Sequence, residues 1–391
     1  MKANQRIRVL GKGVTAKAIE EAFDDVKLYD DSDFGTYDKS SNDLTVVSPG
    51  IMPSNYMVKN SNNIISEYDL FANIIPFSIW ISGTNGKTTT TQMCQQLLEK
   101  RGSVCGGNIG TPLAKLDKNA NLWILETSSF TNHYTNKAKP NLYLLLPISE
   151  DHITWHGSFD EYKKAKLKPL DFMVEGEIAI IPDEYKDYKS DAKIITYKNN
   201  DCLCKEFGIE KDKIKFKEPF LLDSIMALAS SKILFDEVDY ELINSFIIDQ
   251  HKVEEFYDKK NRLWIDDSKA TNIDATINAL KPYGNKKINL ILGGDDKGAN
   301  LKPLFEELKN YDITIFAIGS NEEKILNLSK EFGIEFFGMK ILKNAVEKID
   351  QISTPNSIGM LSPAAASLDQ FTSYKHRGEE FKNLVNSLSK N

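Results

Sequence analysis

Ile79-Trp80-Ile81-Ser82-Gly83-Thr84-Asn85-Gly86-Lys87-Thr88-Thr89-Thr90-Thr91 restricts the fold of this chain more than any other stretch. An apolar run of strand type turns through two glycines, and helix-forming residues follow from Gln92 to Glu99. A Gly-rich turn between a strand and a helix N-terminus aims several backbone N–H groups at one point, where the helix dipole adds positive potential. That point suits a phosphate. Lys87 is expected to reach the outer phosphates of a nucleotide, and a Thr88 or Thr89 hydroxyl to ligate Mg²⁺. The generic Walker pattern has a glycine five positions before Gly86, where this chain has Ile81, so the loop is the shorter variant from Gly83 to Thr88. A Gly/Thr-rich turn with no ligand is the alternative. Strand, turn, Lys-Thr and helix nevertheless occur in the order a phosphate loop requires.

A length of 391 residues predicts two or three domains, at about 150 residues each. With 41% hydrophobic and 27% charged residues the composition is that of a soluble globular protein. The net charge of −7 argues against a nucleic-acid partner, which would call for clustered basic residues. Cys94, Cys105, Cys202 and Cys204 form no C-x-x-C pair, and no disulfide framework is indicated. Met1 to Arg6 carries no apolar run of signal-peptide type, and no apolar run approaches the ~20 residues of a membrane span. The expectation is a cytoplasmic enzyme with no membrane association.

Taken in order, Ile7 to Leu10 reads as a strand, followed by Gly11-Lys12-Gly13-Val14-Thr15-Ala16 and a helical pattern to Phe23. A second strand, Val26 to Tyr29, ends in Asp30-Asp31. This is a G-x-G-x-x-A fingerprint with acids downstream, which taken alone points to NAD. Leu44 to Val47 is a third strand and runs into Ser48-Pro49-Gly50. Residues 1–75 are therefore expected to form a small nucleotide-binding unit, too short for six strands. From 76 to about 250, strands at 77–82, 122–125, 142–146, 177–181 and 193–197 alternate with helices at 88–101, 159–172 and 221–235. Near 250 the alternation restarts, with strands at 262–265, 289–292, 313–318 and 357–361, each ending in a polar loop. The fold class is α/β: a Rossmann-like first domain (1–75), a P-loop ATPase-type parallel sheet (76–250) and a Rossmann-like third domain (251–391).

Glu126 follows an apolar strand directly, the usual place for a carboxylate that holds a nucleotide's Mg²⁺. A capping or solvent-facing acid is the alternative. His152 lies a few residues past another strand, on the side where the phosphate loop is expected. His152 and His156 stand four apart, but no third zinc ligand is evident. Lys166 sits in a basic helical run, and composition alone does not distinguish it from its neighbours.

Seven blocks together resemble the Mur ligase family: Gly83 to Thr88, Gly106 to Pro112, Leu125 to Phe130, Asp151-His152 with Tyr162 and Ala165-Lys166, Asp267 to Asn272, Gly293 to Gly298, and Leu361 to Phe371 with Arg377-Gly378. The last block is most similar to the D-glutamate-adding branch. The resemblance spans essentially the whole chain.

It implies three domains that take UDP-N-acetylmuramoyl-L-alanine, ATP and D-glutamate respectively, acting as a monomer. The substrate carboxylate attacks the γ-phosphate to give an acyl phosphate, and the amine of D-glutamate then displaces phosphate. The resemblance further implies two Mg²⁺ ions, one on Thr88 or Thr89 and Glu126, the other on His152 and a carbamate formed on Lys166. Nucleotide contacts fall on Gly83, Thr84, Asn85, Gly86, Lys87, Thr88, Thr89, Asp223, Lys252 and Asp267. Val14, Thr15, Asp30, Ser48 and Gly50 line the UDP site, and Asn108 contacts the reacting carboxylate region. Lys269, Thr271, Lys297, Ser367, Leu368 and Tyr374 receive D-glutamate. Three positions depart from the family pattern: Asp223 replaces an adenine-contacting Asn, Lys252 replaces an Arg that follows a His, and Tyr374 stands where Phe is common. Alternatives are a sibling ligase adding another amino acid, a more distant folylpolyglutamate synthetase, which lacks a UDP-type first domain, an NAD-binding protein and a silent nucleotide-binding module. The Asp-Asn-Pro-Arg tetrapeptide of the diaminopimelate enzyme is absent.

Overall fold

The computed structural model describes residues 6–108 and 110–389. Met1 to Gln5, at the expected leaderless start, and Ile109, in the Gly106–Pro112 block, lie outside the described residues. The chain forms two compact units: Met1–Phe216 with Phe220–Phe246, and Lys217–Pro219 with Ile247–Asn391. Three sheets run through them. The first has the order β2-β1-β3-β4, with β1 at Ile7–Leu10, β2 at Val26–Tyr29, β3 at Leu44–Val47 and β4 at Asn63–Ile65.

The second sheet has the order β10-β9-β8-β5-β7-β6 and is parallel throughout. Its strands are β5 (Phe77–Ser82), β6 (Ser103–Gly107), β7 (Leu122–Glu126), β8 (Leu142–Leu145), β9 (Ile178–Pro182) and β10 (Lys193–Tyr197). β5 lies between β7 and β8, and Ile79, Trp80 and Ile81 are fully buried. Such two-sided burial is why the central strands read as unbroken apolar runs.

The third sheet, in the second unit, has the order β11-β12-β16-β13-β14-β15. These strands are β11 (Glu254–Tyr257), β12 (Leu263–Asp266), β13 (Lys287–Leu292), β14 (Ile313–Ile318), β15 (Glu335–Lys340) and β16 (Ser357–Leu361). β11 is antiparallel to β12, and the other pairings are parallel.

Four strands have no counterpart in the sequence reading: β4, β6, β11 and β15. Each sits at the edge of its sheet. An edge strand is half solvated, so its sequence need not be an apolar run; β11 is Glu-Glu-Phe-Tyr and β6 ends in two glycines. The helix expected over 159–172 ends at Leu167 and tightens into a 3₁₀ turn over Lys168–Asp171. Pro169 has no N–H to continue the α-helical ladder. Likewise Lys87–Leu98 is α-helical and Glu99–Arg101 is 3₁₀. Among the described residues no helix is long and apolar enough to cross a membrane.

Candidate active site

The phosphate loop connects the central strand β5 to the helix Lys87–Leu98. Its two glycines have φ of 134° at Gly83 and 82° at Gly86. A Cβ on Gly83 would lie 2.5 Å from Leu146 Cβ, and one on Gly86 would lie 2.2 Å from Asp223 Oδ1. Both conformation and space therefore exclude side chains here. Thr84 pins the loop: its N–H donates to Pro147 O and its hydroxyl to Ser149 O, while Ser149 N donates back to that hydroxyl. Tyr162 Oη is 3.0 Å from the same Thr84 oxygen.

Lys87 folds over the loop, with Nζ donating to Thr84 O at 2.7 Å and to Gly83 O at 3.0 Å. Burial pushes its pKa down, against the pull of Glu126, Asp151 and Asp223. Asn85 lies in the turn between the two glycines, and Thr89 is buried one residue past Thr88. Asp223 is buried in the helix Phe220–Phe235, behind the loop, where its carboxylate accepts from Thr90 Oγ1 at 3.1 Å.

Glu126 ends β7, beside β5, and is buried. Its Oε2 accepts from Thr88 Oγ1 at 2.7 Å and its Oε1 from Asn108 Nδ2 at 2.8 Å. Asn108 N also donates to Glu126 O at 2.8 Å. A hydroxyl and a carboxylate are thus held together beside the phosphate loop. Hard oxygen donors of this kind fit Mg²⁺.

His152 has a left-handed backbone, φ 54°, and its ring packs against Phe130 with centroids 4.7 Å apart. Its Nε2 lies 3.6 Å from Asp151 Oδ2. Lys166 is fully buried, and its Nζ donates to Gly83 O at 2.6 Å over the Tyr162 ring. Burial, reinforced by Lys87, pushes the Lys166 pKa well below that of an ordinary lysine. Lysine, phosphate loop and Tyr162 therefore form one connected cluster. Tyr162 appeared in the sequence only as spacing, and its hydroxyl contact with Thr84 had no local signal.

In the first sheet, Gly11, Asp30 and Ser48 directly follow β1, β2 and β3, so they share the carboxyl edge. The chain reverses direction across the sheet between β1 and β3, a topological switch point. Gly11 and Ser48 meet there: a Cβ on Gly11 would lie 2.6 Å from Ser48 Oγ. Val14 and Thr15 begin the following helix, with Val14 exposed, and Gly50 is exposed beyond Ser48. Lys12 bridges Asp30 at 3.0 Å and Asp33 at 2.8 Å. Ser32 and Lys12 together hold the Asp30 carboxyl down at about 2. In the sequence Lys12 is a cation between two loop glycines, with no local feature that sets it apart from the other lysines.

In the second unit the predicted residues fall on loops after three neighbouring strands, β12, β16 and β13. The Gly293–Gly298 loop is laced to the Leu361–Phe371 loop: Asp295 N donates to Ala366 O and Ala366 N to Asp295 O. Lys297, on the first, is exposed with φ 52°; Ser367, on the second, is buried and Leu368 exposed. Lys269 Nζ lies 4.3 Å from the centre of the Tyr374 ring, and Thr271 is half-buried nearby in sequence. Arg377, buried, donates to Ser268 Oγ and O and to Ala365 O, tying the Lys269 loop to the Ser367 loop.

Asp267 is turned inward. It accepts from Ser362 Oγ at 2.7 Å and Val253 N at 3.2 Å, and burial raises its carboxyl to about 8. Lys252 pairs with Asp249 at 2.9 Å. His251, Glu254 and Asp266 lie close enough to share a cation. They are already partnered, His251 Nδ1 with Asp266 at 2.6 Å and Glu254 with Lys382 at 3.0 Å.

A phosphate loop on the central strand, with an acid at the end of the adjacent strand, defines a P-loop nucleotide-binding enzyme of the α/β class. Residues 81–223 match the Mur ligase middle domain. The chain is 48% identical over 401 residues to the UDP-N-acetylmuramoylalanine–D-glutamate ligase of Campylobacter jejuni, covering 98% of this chain and 100% of that one. It is 44% identical to the ligase of that name from Helicobacter pylori, covering 97% and 99%. The MurF ligase of Thermotoga maritima, solved with ADP, shares the fold with a TM-score of 0.60 at 14% identity, over 98% of this chain and 95% of that one. The chain belongs to the Mur ligase family of ATP-dependent ligases.

Proposed function

We propose that this protein joins D-glutamate to UDP-N-acetylmuramoyl-L-alanine at the expense of ATP, in the cytoplasmic synthesis of peptidoglycan precursor. The likeness to named D-glutamate ligases over nearly the full length supports the choice of substrates. The observation that carries the chemistry is the cluster of Lys87, Thr88, Asn108, Glu126 and Lys166 around the phosphate loop.

Two anions, a carboxylate and ATP, must approach each other, so the site has to supply positive charge. The loop N–H groups and Lys87 hold the β- and γ-phosphates in line with the incoming carboxylate. The carboxylate oxygen bonds to the γ-phosphorus as the bond to ADP breaks, giving an acyl phosphate. The amine of D-glutamate then adds to the acyl carbon, loses a proton, and phosphate leaves. Asn108, fixed on Glu126, orients the carboxylate that becomes activated.

Thr88 or Thr89 with Glu126 would hold one Mg²⁺, and His152 with a carbamate on Lys166 a second. Bound Mg²⁺ neutralises charge on the phosphoryl oxygens. The depressed pKa favours the neutral Lys166 amine, the form that adds CO₂ to give a carbamate and a proton. Carbamylation turns a cation into an oxygen ligand.

In this reading Val14, Thr15, Asp30, Ser48 and Gly50 receive the UDP moiety within residues 1–75. Residues 76–250 carry ATP, with Asp223 among the nucleotide contacts; Lys252 and Asp267 are nucleotide contacts in this reading as well. Residues 251–391 present Lys269, Thr271, Lys297, Ser367, Leu368 and Tyr374 to D-glutamate. The protein acts as a monomer.

The test is phosphate release with UDP-N-acetylmuramoyl-L-alanine, ATP and a panel of amino acids. D-glutamate should be required. Equal release with L-alanine, L-lysine or D-alanyl-D-alanine would overturn the substrate assignment.

A further inference from the structure

The helix Glu67–Phe71 lies between the first and second sheets in sequence, and three consecutive side chains on it hold two connecting segments of the second sheet and the end of strand β7. Glu67 Oε1 accepts from Ala114 N at 3.2 Å. Asp69 accepts from the N–H groups of Asn136, Lys137 and Ala138 at 2.7–2.8 Å. Tyr68 Oη donates to Glu126 O at 3.0 Å. Only the Tyr68 contact lands on a residue of the nucleotide site.

We infer that Tyr68 is a positioning residue for the nucleotide-metal site, acting through Glu126 and Asn108. The inference rests on the ligase reading for the identity of the ligands. Tyr68 is 2% exposed, and its ring meets Trp80 of β5 edge-on at 4.8 Å. Its hydroxyl is therefore aimed by packing against the strand that feeds the phosphate loop. The Glu126 carbonyl takes two donors, Tyr68 Oη and Asn108 N. The Glu126 carboxylate takes two more, from Thr88 and Asn108. One residue is thus fixed at both its backbone and its side chain, and Asn108 is fixed with it.

No slack remains in the arrangement. At Gly107, φ 91°, a Cβ would lie 2.3 Å from Tyr68 Oη and 2.6 Å from Glu126 O. Removing the hydroxyl leaves the ring packing intact but frees the end of β7 and the Asn108 loop to shift. The expected consequence is a misplaced pair of oxygen donors rather than an unfolded protein.

The full-length protein tests this with Mn²⁺ as the spectroscopic ion. Mn²⁺ binding in the presence of ATP is followed by electron paramagnetic resonance, alongside thermal unfolding and the KM for each substrate. Tyr68→Phe should weaken Mn²⁺–ATP binding about fivefold. It should lower kcat while leaving the KM for D-glutamate near the wild-type value. Asp69→Asn, which loosens a different loop of the same helix, should lower the melting temperature without changing Mn²⁺ affinity. Unchanged Mn²⁺ affinity in Tyr68→Phe, or an equal loss in Asp69→Asn, would reduce Tyr68 to a packing role and overturn the inference. A wild-type protein that binds Mn²⁺–ATP but shows no D-glutamate-dependent phosphate release would sink the ligase reading while leaving the positioning result to stand on the binding data.

Discussion

Lys166 Nζ lies 2.6 Å from the carbonyl oxygen of Gly83, so the helix Phe159–Leu167 touches the first glycine of the phosphate loop through a buried amine. In water a lysine holds its proton strongly. Here burial and the neighbouring Lys87 both favour its release. An amine whose hold on its proton is weakened, beside a phosphate loop, is the feature that supports a carbamate ligand, and it leads to the first prediction.

Lys166→Ala should be inactive and partly rescued by a short carboxylate such as acetate at high concentration, because only the carbamate oxygens are needed. The wild-type protein should in turn gain activity when bicarbonate is restored to CO₂-depleted buffer. Phosphate release measured with and without each additive checks both. Activity indifferent to bicarbonate, with no rescue of the variant, counts against the carbamate.

Lys87→Ala should abolish turnover while the melting temperature stays close to wild type. Its ammonium is anchored on Thr84 O and Gly83 O and is poised at the mouth of the loop. Loss of one preorganised charge contact at a transition state costs on the order of 10²–10³ in rate. Near-normal phosphate release would remove the loop from the mechanism.

Lys297→Ala should raise the KM for D-glutamate far more than that for ATP, and Ser367→Ala should act in the same direction more weakly. The two residues lie on loops joined by the Asp295–Ala366 hydrogen bonds, and a dianionic amino acid needs more than one donor cluster. Initial-rate kinetics with each substrate varied separately decides it. A selective loss of ATP affinity would mean that the pocket has been assigned to the wrong ligand.

The contribution of Glu67 to stability should fall as pH rises from about 5 to 7, and Glu67→Gln should remove that contribution, so the difference between the two proteins changes with pH. Burial raises the Glu67 carboxyl from 4.5 to about 7, against donation from Ala114 and Leu113 N–H groups. Between those values the folded chain keeps a proton that the unfolded chain has released. The stabilisation is therefore complete below the unfolded value and lost by about pH 7. At pH 8 the Gln variant should be the more stable, by roughly 1–3 kcal/mol. Urea midpoints at pH 5 and pH 8 measure the difference; Asp267, raised in the same sense, is common to both proteins and cancels.

Local order in the chain was enough to fix the strand–loop–helix at Ile79 to Thr91, the acid closing β7, and the polar loops after β12, β13 and β16. Each depends on residues close in sequence, and a two-sided apolar strand leaves a mark that no tertiary contact needs to supply. The edge strands β4, β6, β11 and β15 left no such mark, because a strand with a neighbour on one side only need not be an apolar run. Lys166 was one lysine among several in a basic run. What separates it is burial against Gly83, a relation across 83 residues that composition cannot carry. Tyr68 is further still from legibility, since its hydroxyl acquires a role only when the helix Glu67–Phe71 packs beside β5 and reaches the end of β7. Sequence by itself determined which chemical groups stand at the ends of which strands. Tertiary structure decided which of them are desolvated and paired: burial weakens the hold of Lys166 on its proton, and pairing fixes the geometry of Glu126.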